Sequence, residues 1–403
     1  MSTAGVASSS QHFSQHFSQH FSLDPGVIYL NHGAFGACPR VVQDVQLEFR
    51  ARLERNPVHF FLRELERLLD DTRAVLGPFL GARPEDLAFV PNATAGVNTV
   101  LSALELESGA EIILNDHTYP ACRNAVQYWA ARHSHQVRSA KIPFPVASPE
   151  ELSRAILAEV TPQTRLVLLD HVTSPSGLIM PVESLVRSLH ERGIDTLVDG
   201  AHGPGMLPLE LEQLGAAYYT GNLHKWVCAP KGAAFLWVRR DRQALIHPLV
   251  ISHGWAVPRS DRSRFLLEFD WPGSFDPSAI LSVPRALSFL NGLFPGGFPE
   301  LYAHNHALAL TGRNALCAAL GTLPPCPDSM LGSLAVALFP EVTPKVPTAD
   351  ELYNALVARG IEVPIVPHPG YPSGFVRIAA QVYNSEPEFV VLGQALREEL
   401  GLP

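Results

Sequence analysis

Lys225 lies in the stretch T-G-N-L-H-K-W-V-C-A-P-K-G, residues 220–232, just before the apolar run Ala233–Val238. The chain has only four lysines, Lys141, Lys225, Lys231 and Lys345; the rest of its 30 basic residues are arginines. An amine retained in such a background can do what arginine cannot. A desolvated lysine loses its proton and attacks a carbonyl carbon, whereas arginine stays protonated. The alternative is a lysine snorkelling at a strand end, and its neighbours must decide between the two.

Those neighbours form four strand ends. After Thr196-Leu197-Val198 comes Asp199, and an acidic residue that ends a buried strand is costly unless a partner stabilises its charge. A cationic ring nitrogen is such a partner. Beside the lysine, Thr220 and His224 can hydrogen-bond an anion. Pro91-Asn92-Ala93-Thr94-Ala95-Gly96 runs from a strand end into a helix N-terminus, where free N–H groups and a hydroxyl favour phosphate. Asp116-His117-Thr118-Tyr119 offers an imidazole or a phenol to stack on a flat ring. Together they describe a ligand with an aldehyde for Lys225, a pyridinium for Asp199, a phosphate for Thr94 and a planar face for Tyr119 or His117. Pyridoxal 5'-phosphate has all four features, and its chemistry explains the lysine: an imine tethers the cofactor while the protonated ring acts as an electron sink.

The elements that must position these residues alternate along the chain. Short apolar runs, Leu87–Val90, Glu111–Leu114, Arg165–Leu169, Asp195–Val198, Ala217–Tyr219 and Ala234–Val238, are separated by helix-period segments Ala95–Leu104, Pro120–Arg132, Pro149–Val160 and Pro181–Arg192. This alternation predicts right-handed crossovers and a mostly parallel sheet covered on both faces. Ligands bind such sheets at the carboxyl ends of the strands, which is where the four motifs fall. Gly254–Ser278 reads as a long ordered loop. The segment 284–403 begins with a helix-rich stretch and then alternates again, which suggests a smaller α+β domain after a large α/β domain over 23–283. The first helix is then expected to pack on the smaller domain. Residues 1–22 contain S-Q-H-F three times. A helix there would stack His12, His16 and His20 at a spacing able to hold a metal, but a Ser-rich repeat before the first turn signal reads as a poorly ordered tail, and no metal is expected.

Composition bounds the rest. A chain of 403 residues, 46% apolar and 17% charged, buries a large core. A net charge of −9 argues against a nucleic-acid surface. No apolar stretch is long enough to cross a bilayer, and no signal-peptide pattern opens the chain, so cytoplasmic residence is expected. Five widely spaced cysteines without a C-x-x-C pair fit reduced thiols.

The stretches D-G-A-H-G-P-G at 199–205 and Y-T-G-N-L-H-K-W-V-C-A-P-K-G at 219–232 resemble the class V aminotransferase family, of fold type I architecture. Within it the likeness is to the isopenicillin N epimerase-like group, supported by Y-L-N-H-G-A-F-G at 29–36 and V-R-I-A-A-Q-V-Y-N at 376–384. The resemblance implies a pyridoxal-phosphate enzyme in which Lys225 is the Schiff-base lysine and Asp199 faces the pyridine nitrogen. His202 and Ser174 are then expected near the ring hydroxyl. Thr94 with the amide of Ala93, Thr220 and His224 are expected to hold the phosphate, and Tyr119 to stack on the ring. Arg377 matches the family's clamp for a substrate carboxylate, suited to a bidentate guanidinium, and Asn31 and His32 are placed on the substrate side. A Gly-Thr pair of the family reaches the phosphate of the neighbouring subunit; Gly273-Ser274 stands at that position and keeps a hydroxyl, implying a homodimer with intersubunit sites.

Family members that remove sulfur from cysteine carry a cysteine on a loop shortly before the clamp arginine. Residues 363–374, V-P-I-V-P-H-P-G-Y-P-S-G, contain none, which disfavours a persulfide-forming desulfurase. The leading expectation is an enzyme that labilises the α-proton of an amino acid or amino-acyl peptide, as in epimerisation. There Lys225 takes the proton on one face, and Tyr119, His32 or solvent returns it on the other. β-Elimination of the C–S lyase type and transamination are the alternatives, and a ligand-binding protein without turnover is the non-enzymatic one.

Overall fold

The computed structural model of the protein describes residues 17–368 and 371–403. A short strand β1 (Ile28–Tyr29) precedes the large sheet, whose strands are β2 (Leu87–Val90), β3 (Glu111–Asn115), β4 (Gln136–Ala140), β5 (Thr164–Asp170), β6 (Asp195–Asp199), β7 (Tyr218–Asn222) and β8 (Ala234–Val238). Their spatial order is β2-β8-β7-β6-β5-β3-β4. Neighbours are parallel except at β8, which runs antiparallel to β2 and β7. A strand at the sheet's centre is covered by helices on both sides, so its side chains alternate between two cores. Along β5, Leu166 and Leu168 join one apolar cluster with Val97 and Val126, from the helices Ala93–Ala103 and Pro120–His133. Val167 and Leu169 join the other, with Leu152 and Leu185 of the opposite layer. The fold is that of the pyridoxal-phosphate fold type I, a mostly parallel α/β sheet.

The C-terminal part carries β9 (Leu334–Leu338), β10 (Ile361–Glu362), β11 (Ile365–His368) and β12 (Tyr371–Ala379). Strands β11-β12-β9 form an antiparallel sheet, and β12 sets Arg377 opposite Val336. Helices Phe298–Leu320 and Glu386–Leu400 pack together beside it. The N-terminal segment crosses to this part: β1 pairs in parallel with β10, Ile28 opposite Ile361. Strands β1 and β10 form a two-stranded ladder apart from that sheet, and the helix Arg40–Arg55 packs on Ser278–Leu281 and on Val283–Asn291, at the start of the segment 284–403.

Three expectations need correction. The N-terminal tail was expected to extend to residue 22, yet Phe17 and Phe21, which close the second and third S-Q-H-F units, are buried against Phe294, Phe289 and Tyr383. Each buried phenyl ring removes enough apolar surface to contribute roughly 2 kcal/mol, which holds residues 17–22 on the body. His12 and His16 lie outside the described residues. The long loop 254–278 contains the helix Arg264–Phe269, capped by Ser263, whose hydroxyl accepts from Leu266 N–H at 3.2 Å. Strand β4 was not anticipated. Its sequence Q-V-R-S-A is polar because it is an edge strand, paired only to β3.

Candidate active site

Parallel strands bring their carboxyl ends to one edge, and alternation then selects which side chains share a face. On β5, β6 and β7 the residues in step with Leu168, Leu197 and Tyr218 are Asp170, Asp199, and Thr220 with Asn222. These carboxylates and amides line a cavity of about 560 Å3, together with Thr94, Tyr119, Ser174, His202, His224 and Lys225. The connection from β7 to β8 carries the lysine. Gly36 lies against that connection so closely that a Cβ there would come within 2.0 Å of the His224 carbonyl oxygen, which is why a glycine closes the N-H-G-A-F-G stretch.

Lys225 is half-buried, and desolvation lowers its pKa to about 8, with Asp199 opposing the shift. Its Nζ lies 3.1 Å from His202 Nε2. The other nitrogen of that imidazole, Nδ1, accepts from the indole N–H of Trp226 at 3.2 Å. An indole only donates, so a neutral His202 carries its hydrogen on Nε2 and points it at the amine. Burial does keep His202 neutral, well below the ordinary imidazole range. The lysine therefore meets a donor and presents a lone pair.

Asp199 is gripped from two sides. Its Oδ2 accepts from the Cys122 thiol at 3.1 Å and its Oδ1 from the Ala201 N–H at 3.0 Å. Asp170 lies in register with it across β5 and β6. Asp170 accepts from the Tyr119 N–H at 3.3 Å and from the Asn115 amide at 3.5 Å. Desolvation, then the neighbouring Asp199, raise Asp170 to about 7. Neither Cys122 nor Asp170 was singled out from the sequence. For Asp170 the signal was available: L-V-L-L-D ends a buried strand with an acid, as T-L-V-D does at Asp199.

The anion-binding end is built where β2 meets the helix Ala93–Ala103. Asn92 caps that helix through Ala95 N–H at 2.8 Å, and the Ala93 N–H donates to Asn222 Oδ1 at 2.8 Å. Thr94 and His224 line the same wall. Thr220 does not. Its hydroxyl donates to the Phe235 carbonyl at 2.8 Å, and it presses on Gly96, where a Cβ would come within 2.1 Å of its Oγ1. Thr220 sits one pleat back from the strand end, beneath the helix; Asn222, on the same face and at the end itself, reaches the cavity.

Tyr119 lines the cavity and is 41% exposed. His117 is buried elsewhere, with Nδ1 2.8 Å from Ser176 Oγ and its ring edge-on to Phe144. Arg377 is buried and donates to the Ser174 carbonyl, with Ser174 Oγ at 3.4 Å. Burial lowers its pKa to about 10, and its Nε has no hydrogen-bond partner. Among the described residues no carboxylate pairs with it.

Asn31 and His32 do not line the cavity; Ala34 and Phe35 do. Asn31 donates to Glu362 Oε1 at 3.1 Å. His32 is wholly buried, with Nδ1 2.7 Å from the Tyr383 hydroxyl and Nε2 3.0 Å from the Lys225 carbonyl. Burial pushes its pKa down to about 3. It braces the lysine's backbone from behind and has no path to a substrate proton. Gly273 and Ser274 also lie away from the cavity of their own chain.

The residues fit the cofactor they were expected to hold. A half-buried amine and a buried carboxylate stand at one cavity, whose anion end is a helix N-terminus beside His224, with Nδ1 buried and unpartnered. The aminotransferase class V profile matches residues 28–264. The isopenicillin N epimerase of Amycolatopsis lactamdurans is 36% identical, over 94% of this chain and 96% of its own length. A probable chloroplastic L-cysteine desulfhydrase of Arabidopsis thaliana is 30% identical, over 93% of this chain and 83% of its own. Among solved structures, a mutant of C-DES with glycine covalently linked to its PLP cofactor superposes with a TM-score of 0.80 at 20% identity, covering 94% of this chain and 98% of that one. A cavity whose residues fit such a cofactor, and a matching profile over more than half the chain, lead to one conclusion: the chain belongs to the class V aminotransferase family of pyridoxal 5'-phosphate enzymes.

Proposed function

We propose that the enzyme labilises the α-proton of an amino acid or amino-acyl peptide and returns it on the opposite face, an epimerisation. Lys225 supplies the amine for the cofactor aldehyde, Asp199 the carboxylate for its ring nitrogen, and Ala93, Thr94, Asn222 and His224 the donors for its phosphate. When bound, pyridoxal 5'-phosphate supplies an electron-withdrawing ring that stabilises charge developing at the substrate Cα. Lys225 Nζ, lowered to about 8 and set against His202, takes the α-proton as the free amine. Arg377, a buried cation without a carboxylate partner, orients the substrate through its α-carboxylate. Tyr119 stands at the cavity wall as the residue that returns the proton.

The observation that carries this reading is Arg377, a buried guanidinium with no carboxylate partner among the described residues, which bonds Ser174 at the wall of the cavity that Lys225 also lines, in a chain 36% identical to an isopenicillin N epimerase. Incubating the loaded enzyme with amino acids and short peptides in deuterated water tests it: deuterium at Cα with inversion supports epimerisation. Borohydride reduction followed by peptide mass spectrometry must find the cofactor on Lys225, and an unmodified Lys225 overturns the assignment.

A second reading, β-elimination from a cysteine derivative, is favoured by the desulfhydrase relatives. Release of keto acid, ammonia and sulfide from cysteine, without inversion, would select it. No cysteine lines the cavity among the described residues, which speaks against a persulfide-forming route. The same proposal includes a cytoplasmic homodimer. Among the described residues no helix is long and apolar enough to cross a membrane, and the five cysteines are free. Pro272 and Phe275, which flank Gly273-Ser274, line an apolar hollow of about 400 Å3 with the exposed Leu249 and Val250. Sedimentation of the loaded protein tests the dimer.

A further inference from the structure

We infer that Asp170 is a positioning residue that couples the charge beneath the cofactor ring to the segment Asn115–Tyr119, so that loading the cofactor tightens the hold on Tyr119. The inference rests on the cofactor assignment, not on the reaction chosen.

Asp170 and Asp199 end neighbouring parallel strands in register, and both are almost wholly buried, at 2% and 3% exposure. In-register residues of parallel strands project to the same face, so the two carboxylates stand side by side under the cavity. Two buried like charges cannot both ionise without a compensating cation. Both carboxylates have donors, on Asp199 the Cys122 thiol and the Ala201 amide; desolvation and then the neighbouring Asp199 raise Asp170 to about 7, so Asp170 is the member that takes up the proton.

The donors on Asp170 all come from one segment. The Tyr119 N–H and the Asn115 amide donate to its two oxygens, and the Thr118 hydroxyl adds a further bond. Tyr119 is also the N-cap of the helix Pro120–His133, whose dipole favours an anion at that end. A cationic ring nitrogen against Asp199 supplies the missing positive charge. Asp170 then ionises, and its bonds to Tyr119 and Asn115 become charge-assisted, the stronger kind.

The other titratable or charged groups facing this pair are few. Cys122 comes from the helix Pro120–His133, Lys225 from the β7–β8 connection and Tyr119 from the β3 loop. His171, the residue just beyond the end of β5, is held by the Tyr219 hydroxyl at 2.9 Å and kept neutral by burial.

Hydrogen exchange of the 115–119 segment, compared between cofactor-free and pyridoxal-phosphate-loaded protein, tests the coupling. In the wild type, loading should slow exchange at the Tyr119 amide about tenfold near pH 6, the difference between a neutral and a charge-assisted bond. In cofactor-free protein the protection factor should rise as pH passes through about 7, and in loaded protein it should stay flat over that range. Asp170→Asn, which keeps an acceptor and removes the charge, should bind the cofactor and yet show less than about a twofold change on loading. Equal protection in free and loaded wild type at every pH overturns the inference, as does an undiminished response in Asp170→Asn; should that variant fail to fold, the wild-type pH comparison decides alone. Failure of the cofactor assignment looks different: pyridoxal phosphate then gives no bound visible absorption in the wild type.

Discussion

His202 Nε2 sits 3.1 Å from Lys225 Nζ, while Trp226 fills the other ring nitrogen of His202 from 3.2 Å. The tryptophan thereby sets the tautomer of the histidine, and the histidine sets the proton state of the lysine. With Lys225 lowered to about 8, its reaction with pyridoxal phosphate should accelerate as pH rises and level off above about 8, because the free amine is the attacking form. The unfolded lysine titrates near 10.4. Between these values the unfolded chain binds the extra proton, so the stability of the cofactor-free protein should rise with pH there. Trp226→Phe frees the imidazole to turn its lone pair toward the amine, which then prefers the charged form. The inflection should move upward by up to about one pH unit, equivalent to about 1.4 kcal/mol. Stopped-flow absorbance against pH measures it.

Asn222 and Thr220 share a face of β7, yet only Asn222 reaches the cavity. Asn222→Ala removes an anion-side amide and the acceptor for the Ala93 N–H. The dissociation constant for pyridoxal phosphate should rise about tenfold or more, the equivalent of one lost hydrogen bond to a charged group. Thr220→Val leaves cofactor affinity within about twofold but strands the Phe235 carbonyl, at about 1–2 kcal/mol of stability. Absorbance titration and thermal melting separate the two effects.

Arg377 is buried with Nε unpartnered. Arg377→Ala should raise KM for substrates bearing an α-carboxylate on the order of 100-fold, the scale for losing a desolvated charge pair. Binding of the matching decarboxylated amine should change little, since nothing on it contacts the guanidinium. Comparing spectral titrations with the two compounds checks the prediction.

What was legible in the sequence, and what was not, follows from how each residue is determined. Lys225 and Asp199 could be recognised because each breaks an apolar run with a group that is costly to bury without a partner, and one cavity now holds both. Asp170 meets the same criterion but escaped notice because the apolar run seemed to end at Leu169. Thr220 is suggested by its residue type, whereas position along β7 decides which side chain clears the helix above it, and Asn222 is the one that does. His32 was misjudged for a related reason: a histidine beside a functional loop looks available, and only tertiary packing reveals Tyr383 and the Lys225 carbonyl on its two nitrogens. The sheet itself was readable from its buried strands, and the polar edge strand β4 was not, because one paired edge imposes little apolar pattern.

Inversion at Cα needs a proton delivered from the face opposite the lysine. With His32 sealed behind the Lys225 backbone, Tyr119 is the partly exposed ionisable group at the cavity wall, and Asp170 holds its backbone. Tyr119→Phe keeps the ring and its packing but removes the hydroxyl proton. Lys225 remains, so deuterium should still enter the substrate at Cα from the lysine's side, with configuration retained. Inversion should fall by about 100-fold or more, the usual contribution of a positioned acid. Chiral chromatography coupled to mass spectrometry reads exchange and inversion separately. Equal losses of both would instead mean that the phenol acts in binding the cofactor or substrate, and an unchanged rate of inversion would assign the return of the proton to water.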